Sequence, residues 1–208
     1  MSSERIARAW EESCWALGIR ARTADRDALI ARWSEPHRQY HDLSHLEACV
    51  TAFDAHRGLA TRPGEVLAAL LFHDAIYDPT RTDNETRSAA LAREMLADAP
   101  RESLDRIATM IEATRTHVAD DHDAAFVLDV DLSILGADAE TYDAFERAIR
   151  IEYAHVDDDA FRIGRRAVLE SFAKRDRIYV TEAFHAALDA AARANLERTL
   201  TGSTRRTC

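Results

Sequence analysis

The segment GEVLAALLFHD constrains this chain more than any other stretch of it. From Val66 to Phe72 the residues are apolar on nearly every side of a helix, so the segment belongs in the middle of a fold, yet it runs directly into His73 and Asp74. Pro63 suits the first position of such a helix, where its missing N–H would have no partner. A carboxylate set against a buried helix end costs several kcal/mol unless it is paired or coordinates a cation, so Asp74 needs a strong partner. Pro79 then forces a turn.

Apolar residues recur at helical spacing on both sides of this segment. The first helix carries Ile6, Trp10, Cys14 and Leu17 and is closed by Gly18; a second runs from about Asp25 to Trp33 and stops before Pro36. Ser44 is placed to cap a helix that reaches about His56, with Leu46, Val50 and Phe53 buried and Gly58 ending it. Asp83 or Asn84 can cap a helix from about Glu85 to Leu96, and Pro100 precedes another from about Ser103 to Thr116. Four more follow, from about Ala124 to Leu135, Ala139 to His155, Asp159 to Lys174 and Thr181 to Leu200. Only Ala125 to Val130 and Ile178 to Val180 resemble strands, and neither alternates for long enough. The expected fold class is all-α, in one domain, because no linker or change of composition divides the chain.

Composition narrows the function. A chain of 208 residues with 47% hydrophobic and 31% charged residues buries roughly 70% of its unfolded surface, which excludes disordered and fibrous classes. Its net charge of -10 works against a nucleic-acid duplex or an anionic membrane as partner. Lys174 is the only lysine, so an anion would be held by arginine, which forks onto phosphate or carboxylate. Cys14, Cys49 and Cys208 are an odd set with no metal-finger spacing, and the N-terminal MSSERIARAW lacks the apolar core of a signal peptide. A cytoplasmic location is the expectation.

The histidines carry the chemistry. Of 9, three fall in one stretch as His37, His41 and His45, and His117 and His122 form a second group. His73 and Asp74 are neighbours, roughly 100° apart around a helix, so both reach one ion only if it lies at the helix end, where they are. Imidazole and carboxylate ligands suit Mn, Fe, Co, Ni or Zn, and Mg where oxygen dominates; one or two further donors are needed. His45 opens a helix far enough upstream for one helix out and a second back to the same end. In FVLDVDLSILG, apolar neighbours bury a carboxylate again, and Asp129 and Asp131 lie roughly 200° apart, so one of the two faces the site.

A histidine opening a helix, an apolar run into His-Asp, and a later aspartate after an apolar helix resemble the HD superfamily of metal-dependent phosphohydrolases. RQYHDLSHL, LFHDAIYDP, DNETRSA, LDVDLSILG, IRIEY, GRRAVLESF and RDRIY look like a bacterial subgroup described only as predicted metal-dependent phosphohydrolases of that superfamily. The likeness covers about His37 to Tyr179. It implies a helical bundle with the HD-type core at 37–180, to which the residue pattern adds N-terminal helices at 1–36 packed on the same domain, a C-terminal helix at 181–200 and a flexible tail at 201–208. The implied ligands are His45, His73, Asp74 and Asp131, with Asp131 preferred for its VDLS context and Asp129 left as a supporting or alternate carboxylate.

The resemblance implies water attack at phosphorus in a small phosphorylated molecule, nucleotides among the candidates. Asp74 is expected to relay a proton, His41 to contact substrate or water, and His117 to bind phosphate or a second ion or to complement its helix end. Arg38, Arg150 and Arg165 are the expected phosphate ligands, although surface ion pairing explains the last two equally well. Tyr77, Asn84 and Glu85 are expected in the pocket, where Asn84 and Glu85 also read as ordinary helix-start residues. Two other functions fit the same fold. A di-iron oxygenase needs two well-separated extra histidines, which the close pair His117 and His122 does not match; a ligand-binding module would keep the helices without turnover. Trp10, Trp15 and Trp33 read as core or as the face of a homodimer, and otherwise as platforms for a base.

Overall fold

The computed structural model describes residues 2–202, and among them the regular structure is helical with no strand. Its helices are α1 (Ser2–Ala16), α2 (Thr23–Trp33), α3 (Leu43–His56), α4 (Pro63–Phe72), α5 (Asn84–Met95), α6 (Arg101–Ala113), α7 (His122–Asp131), α8 (Ala139–Glu152), α9 (Asp158–Ala173) and α10 (Glu182–Leu200). Short 3-10 turns at Arg57–Leu59 and Leu132–Gly136 join some of them. Among the described residues no helix is long and apolar enough to cross a membrane. Of the expected tail, Thr201 and Gly202 form a turn, and residues 203–208 lie outside the described residues.

The chain groups into two compact units, Met1–Asp131 and Leu132–Cys208. The division falls inside the stretch that the sequence reads as one core. No linker marks it, because α7 passes into the Leu132–Gly136 turn without a break.

In the first unit α4 is the centre, packed against α1, α3, α5, α6 and α7. Its residues from Glu65 to Phe72 are all buried, as an apolar run must be when neighbours surround it. Trp10 and Trp33 are also core, whereas Trp15 is 83% exposed, so only two of the three tryptophans pack inside. Gly18 ends the first helix as expected: at φ 71° it takes the left-handed conformation, and the Ile19 N–H donates back to the Cys14 carbonyl at 3.0 Å. The α6 end differs from expectation. The helix stops at Ala113, and a turn carries the chain to His117, the one non-glycine described residue in the left-handed region, at φ 51°.

In the second unit α10 packs on the Leu132–Gly136 turn and on α9. The sequence reads Ala124 to Leu135 as one helix, but α geometry stops at Asp131. The Tyr179 hydroxyl donates to the Leu132 carbonyl at 3.0 Å, which gives that acceptor a partner outside a helical ladder. Asn195 does the same for the Leu135 and Ala137 carbonyls, at 2.9 Å each.

Close approach of α1 and α4 depends on Gly64, where a Cβ would overlap that of Ala16. Gly64→Ala should lower stability by about 1–3 kcal/mol despite the better helix propensity of alanine, read as a lower urea midpoint.

Candidate metal centre

Three helices bring the site together. Asp42, rather than the expected Ser44, caps α3: its Oδ1 accepts from the N–H groups of Ser44 at 2.8 Å and His45 at 3.3 Å. Ser44 spends its own hydroxyl on the same oxygen, at 2.6 Å. The cap fixes His45 in the first turn, where it is buried. His73 is the C-cap of α4 and Asp74 follows it, so both leave the central helix at its end. Asp131 is the last residue of α7.

These four residues converge, with one donor atom from each lying within 4.8 Å of all the others. His73 Nε2 stands 3.2 Å from His45 Nε2, 3.3 Å from Asp74 Oδ2 and 3.5 Å from Asp131 Oδ1, and His45 Nε2 is 3.4 Å from Asp131 Oδ1. The three nitrogen–oxygen separations, at 3.3–3.5 Å, are longer than ordinary hydrogen bonds. Bonds of about 2.0–2.1 Å from one ion, at octahedral or tetrahedral angles, leave neighbouring ligand atoms about 2.9–3.4 Å apart, close to what is seen. His73 Nδ1 lies 2.8 Å from the Leu70 carbonyl and donates to it, which turns Nε2 toward the cluster. The donor set therefore fits a divalent first-row ion. Asp129 is buried next to this set but is not part of it, so the carboxylate from this helix is that of Asp131.

The electrostatics divide the two imidazoles. Burial lowers the pKa of His45 more than its contact with Asp131 raises it. Burial pulls the same way on His73, but Asp74 and Asp131 together outweigh it and hold that ring well above the usual histidine range. Burial alone would raise Asp74; His73 brings it down to about 2. Asp131 is likewise held well below an ordinary aspartate, against its burial, by His117, His45 and His73. His117 Nε2 approaches Asp131 Oδ2 at 3.5 Å, the oxygen not facing the other two histidines. His122 donates to the Leu59 carbonyl at 2.9 Å from the far end of α7, about 13 Å of helix rise from Asp131. The structure thus brings one of the two extra histidines to the cluster and leaves the other away from it.

Arg38 departs from its expected role on phosphate. Its side chain is 0% exposed, and all of its N–H groups are committed. Nη1 donates to the carbonyls of His41 and Asp74, both at 2.8 Å; Nη2 donates to the Ala75 carbonyl at 3.2 Å and to Glu35 at 3.1 Å; Nε donates to Glu35 at 3.2 Å. A guanidinium has five donors and these five contacts use them, so Arg38 is a clamp that ties the loop before α3 to the end of α4. Trp33 backs the site, donating its indole N–H to the Leu71 carbonyl at 3.0 Å and packing on His73 at 5.4 Å between ring centres. Tyr77 is buried, with His41 stacked on it at 4.3 Å.

Asn84 and Ser88, one turn apart on α5, hold the segment after Asp74. Asn84 Oδ1 accepts from the Asp78 N–H at 3.1 Å while its Nδ2 donates to the Asp78 carbonyl at 2.9 Å. Ser88 Oγ accepts from the Ile76 N–H at 3.0 Å. Asn84 therefore locks a loop, and Ser88, absent from the sequence reading, shares that task. Glu85 is half-buried; its burial, followed by the charge of Asp74, pushes its carboxyl up. Arg150 and Arg165, in the second unit, are paired with Asp158 at 2.6 Å and with Glu146 at 2.7 Å. Sequence reasoning missed two further residues. Arg115 makes no side-chain hydrogen bond or ion pair among the described residues, and its charge acts on Glu85. Cys49 lies one turn after His45, with Sγ 3.7 Å from His45 Nε2. That i, i+4 spacing was readable once cysteine was paired with histidine rather than with other cysteines.

The chain matches none of the family models, curated proteins or solved structures with which it was compared.

Asp131→Asn should weaken Mn²⁺ binding about tenfold or more by calorimetry. With its pKa raised, His73 makes an ion compete with a proton for the ring, so affinity should rise with pH and level off once pH passes that raised value. Stability moves the other way. The raised pKa of His73 contributes fully below about pH 6.5 and is lost as pH rises through its folded value. The depressed carboxyl of Asp74 contributes above about pH 4. That contribution is lost as pH falls through about 2. Thermal melts of chelator-treated protein across pH check both limbs.

Proposed function

We propose that this chain is a metal-dependent phosphohydrolase of the HD type, acting on a small phosphorylated molecule, nucleotides included. The observation that supports the reading most is the convergence of His45, His73, Asp74 and Asp131 from separate helices onto one ion-sized gap. A divalent ion bound there supplies positive charge to phosphoryl oxygens and lowers the proton affinity of water.

The residues divide the remaining work. Asp74, 15% exposed and held ionised, orients water as a hydrogen-bond acceptor rather than taking its proton. Glu85 keeps its proton to higher pH than an ordinary glutamate, which suits it to protonate a departing oxygen. His41, stacked on Tyr77, is half-exposed and acts on the charge of Asp74, so it can meet the substrate at the same edge. Arg115 takes over the phosphate role that Arg38 cannot fill, because its guanidinium is exposed and uncommitted. Arg38 positions the His73–Asp74 segment through the backbone.

Mn²⁺-loaded protein should release inorganic phosphate from at least one member of a panel of sugar phosphates and nucleoside mono-, di- and triphosphates. Asp74→Asn should lower kcat by about 10²-fold or more, and Arg115→Ala should raise KM about tenfold with a smaller change in kcat. Fully metal-loaded wild type that releases no phosphate from any member would overturn the proposal.

A further inference from the structure

The two histidines of the cluster belong to two donor sets. With Asp74 and Asp131 they offer two nitrogens and two carboxylate oxygens; with Cys49 they offer two nitrogens and a sulfur, again with all donor atoms within 4.8 Å of one another. The sets differ in setting as well as in chemistry. The carboxylate side chains are 15% exposed, whereas Cys49 is buried at 1%, on the inner side of the histidine pair. Cys49 Sγ is 3.7 Å from His45 Nε2 and 3.9 Å from its Nδ1. Bonds of about 2.3 Å to sulfur and 2.0 Å to nitrogen, at a tetrahedral angle, put the two ligand atoms about 3.5 Å apart.

The geometry points to a second, inner metal position, made by His45, His73 and Cys49, that takes a thiophilic ion such as Cd²⁺, Zn²⁺ or Cu⁺. Thiolate and imidazole together select soft or borderline ions, and carboxylates with imidazole select harder ones such as Mn²⁺. His73 has only Nε2 free of the Leu70 carbonyl, and in His45 Nε2 is the ring nitrogen nearer to Sγ, so the inner position draws on the same two nitrogens as the carboxylate set, and these cannot serve two ions at once. Occupation is therefore exclusive, and a thiophilic ion displaces the harder one. Binding forms a metal–sulfur bond, breaks the S–H bond and releases its proton to solvent, with no change of oxidation state. The inference shares the histidine pair with the proposed hydrolase site but does not require hydrolysis.

The test is a titration of full-length protein with Cd²⁺, before and after loading with Mn²⁺, following the ultraviolet thiolate-to-cadmium band and the electron paramagnetic resonance of free Mn²⁺. Wild type should take up one Cd²⁺ with appearance of the band and release its Mn²⁺ in step. In Cys49→Ser, and in Cys49→Ala should the serine variant not fold, the band should vanish and the preference for Cd²⁺ over Mn²⁺ should fall at least tenfold. A band that survives in these variants assigns the thiolate to Cys14 or Cys208 and overturns the inference, as does simultaneous binding of Cd²⁺ and Mn²⁺. Failure of Mn²⁺, Fe²⁺, Co²⁺ and Mg²⁺ alike to bind wild type while the cadmium band still depends on Cys49 would sink the hydrolase reading and leave the inner position standing.

Discussion

Compensation of buried charge at the end of α4 is the interaction on which the first unit depends. The most apolar helix of the chain delivers His73 and Asp74 where few waters can reach them, and a lone carboxylate there would be costly. His73 offsets that cost for Asp74, and each stabilises the other's charged form. Asp131, which has His45 and His117 against it, and the carbonyl end of α4 add negative charge that favours the charged form of His73 still further. A cation completes this arrangement more fully than any one side chain, since each imidazole then donates a lone pair rather than competing for protons.

The clamp around the cluster shows how backbone groups set side-chain positions. Arg38 holds the carbonyls of His41, Asp74 and Ala75, Asn84 holds both polar groups of the Asp78 backbone, and Ser88 holds Ile76. The segment from Asp74 to Asp78 therefore has little freedom, although it has no regular structure of its own. Lysine in place of Arg38 would keep the charge and lose the fork, since one ammonium cannot reach the carbonyls and Glu35 together.

Much of this was legible in the sequence, and the reasons differ by residue. The all-helical class follows from periodicity, and His73, Asp74, His45 and Asp131 stand out because polar ligand types interrupt or border apolar runs. The choice of Asp131 over Asp129 came from resemblance, as helical geometry says only that the two point apart. Arg38 misled because a conspicuous arginine near histidines suggests an anion, and nothing in a sequence reveals that carbonyls from a distant helix end will consume its donors. Arg115 and Ser88 have no local pattern to mark them. Asp42 competed with Ser44 for the cap, and the aspartate one position earlier prevailed because its oxygen reaches two N–H groups and the serine hydroxyl as well. The break after Asp131 was hidden because it depends on Tyr179, far along the chain.

The order in which the four cluster residues occur along the chain has a consequence for folding. His45 lies in α3, His73 and Asp74 end α4, and Asp131 is the final residue of the first unit, so the cluster cannot close before α7 reaches the end of α4, with α5 and α6 lying between them in the chain. Loop closure over that length makes the site a late event, reached after the local helices have formed. During synthesis the chain must emerge through Asp131 before His73 and Asp74 gain their last partner, and until then their charge lies in a half-built core. An ion held by all four residues would bridge the earliest and latest helices of the cluster, opposing the global opening of the unit while leaving local fraying at α2 or α5 almost untouched.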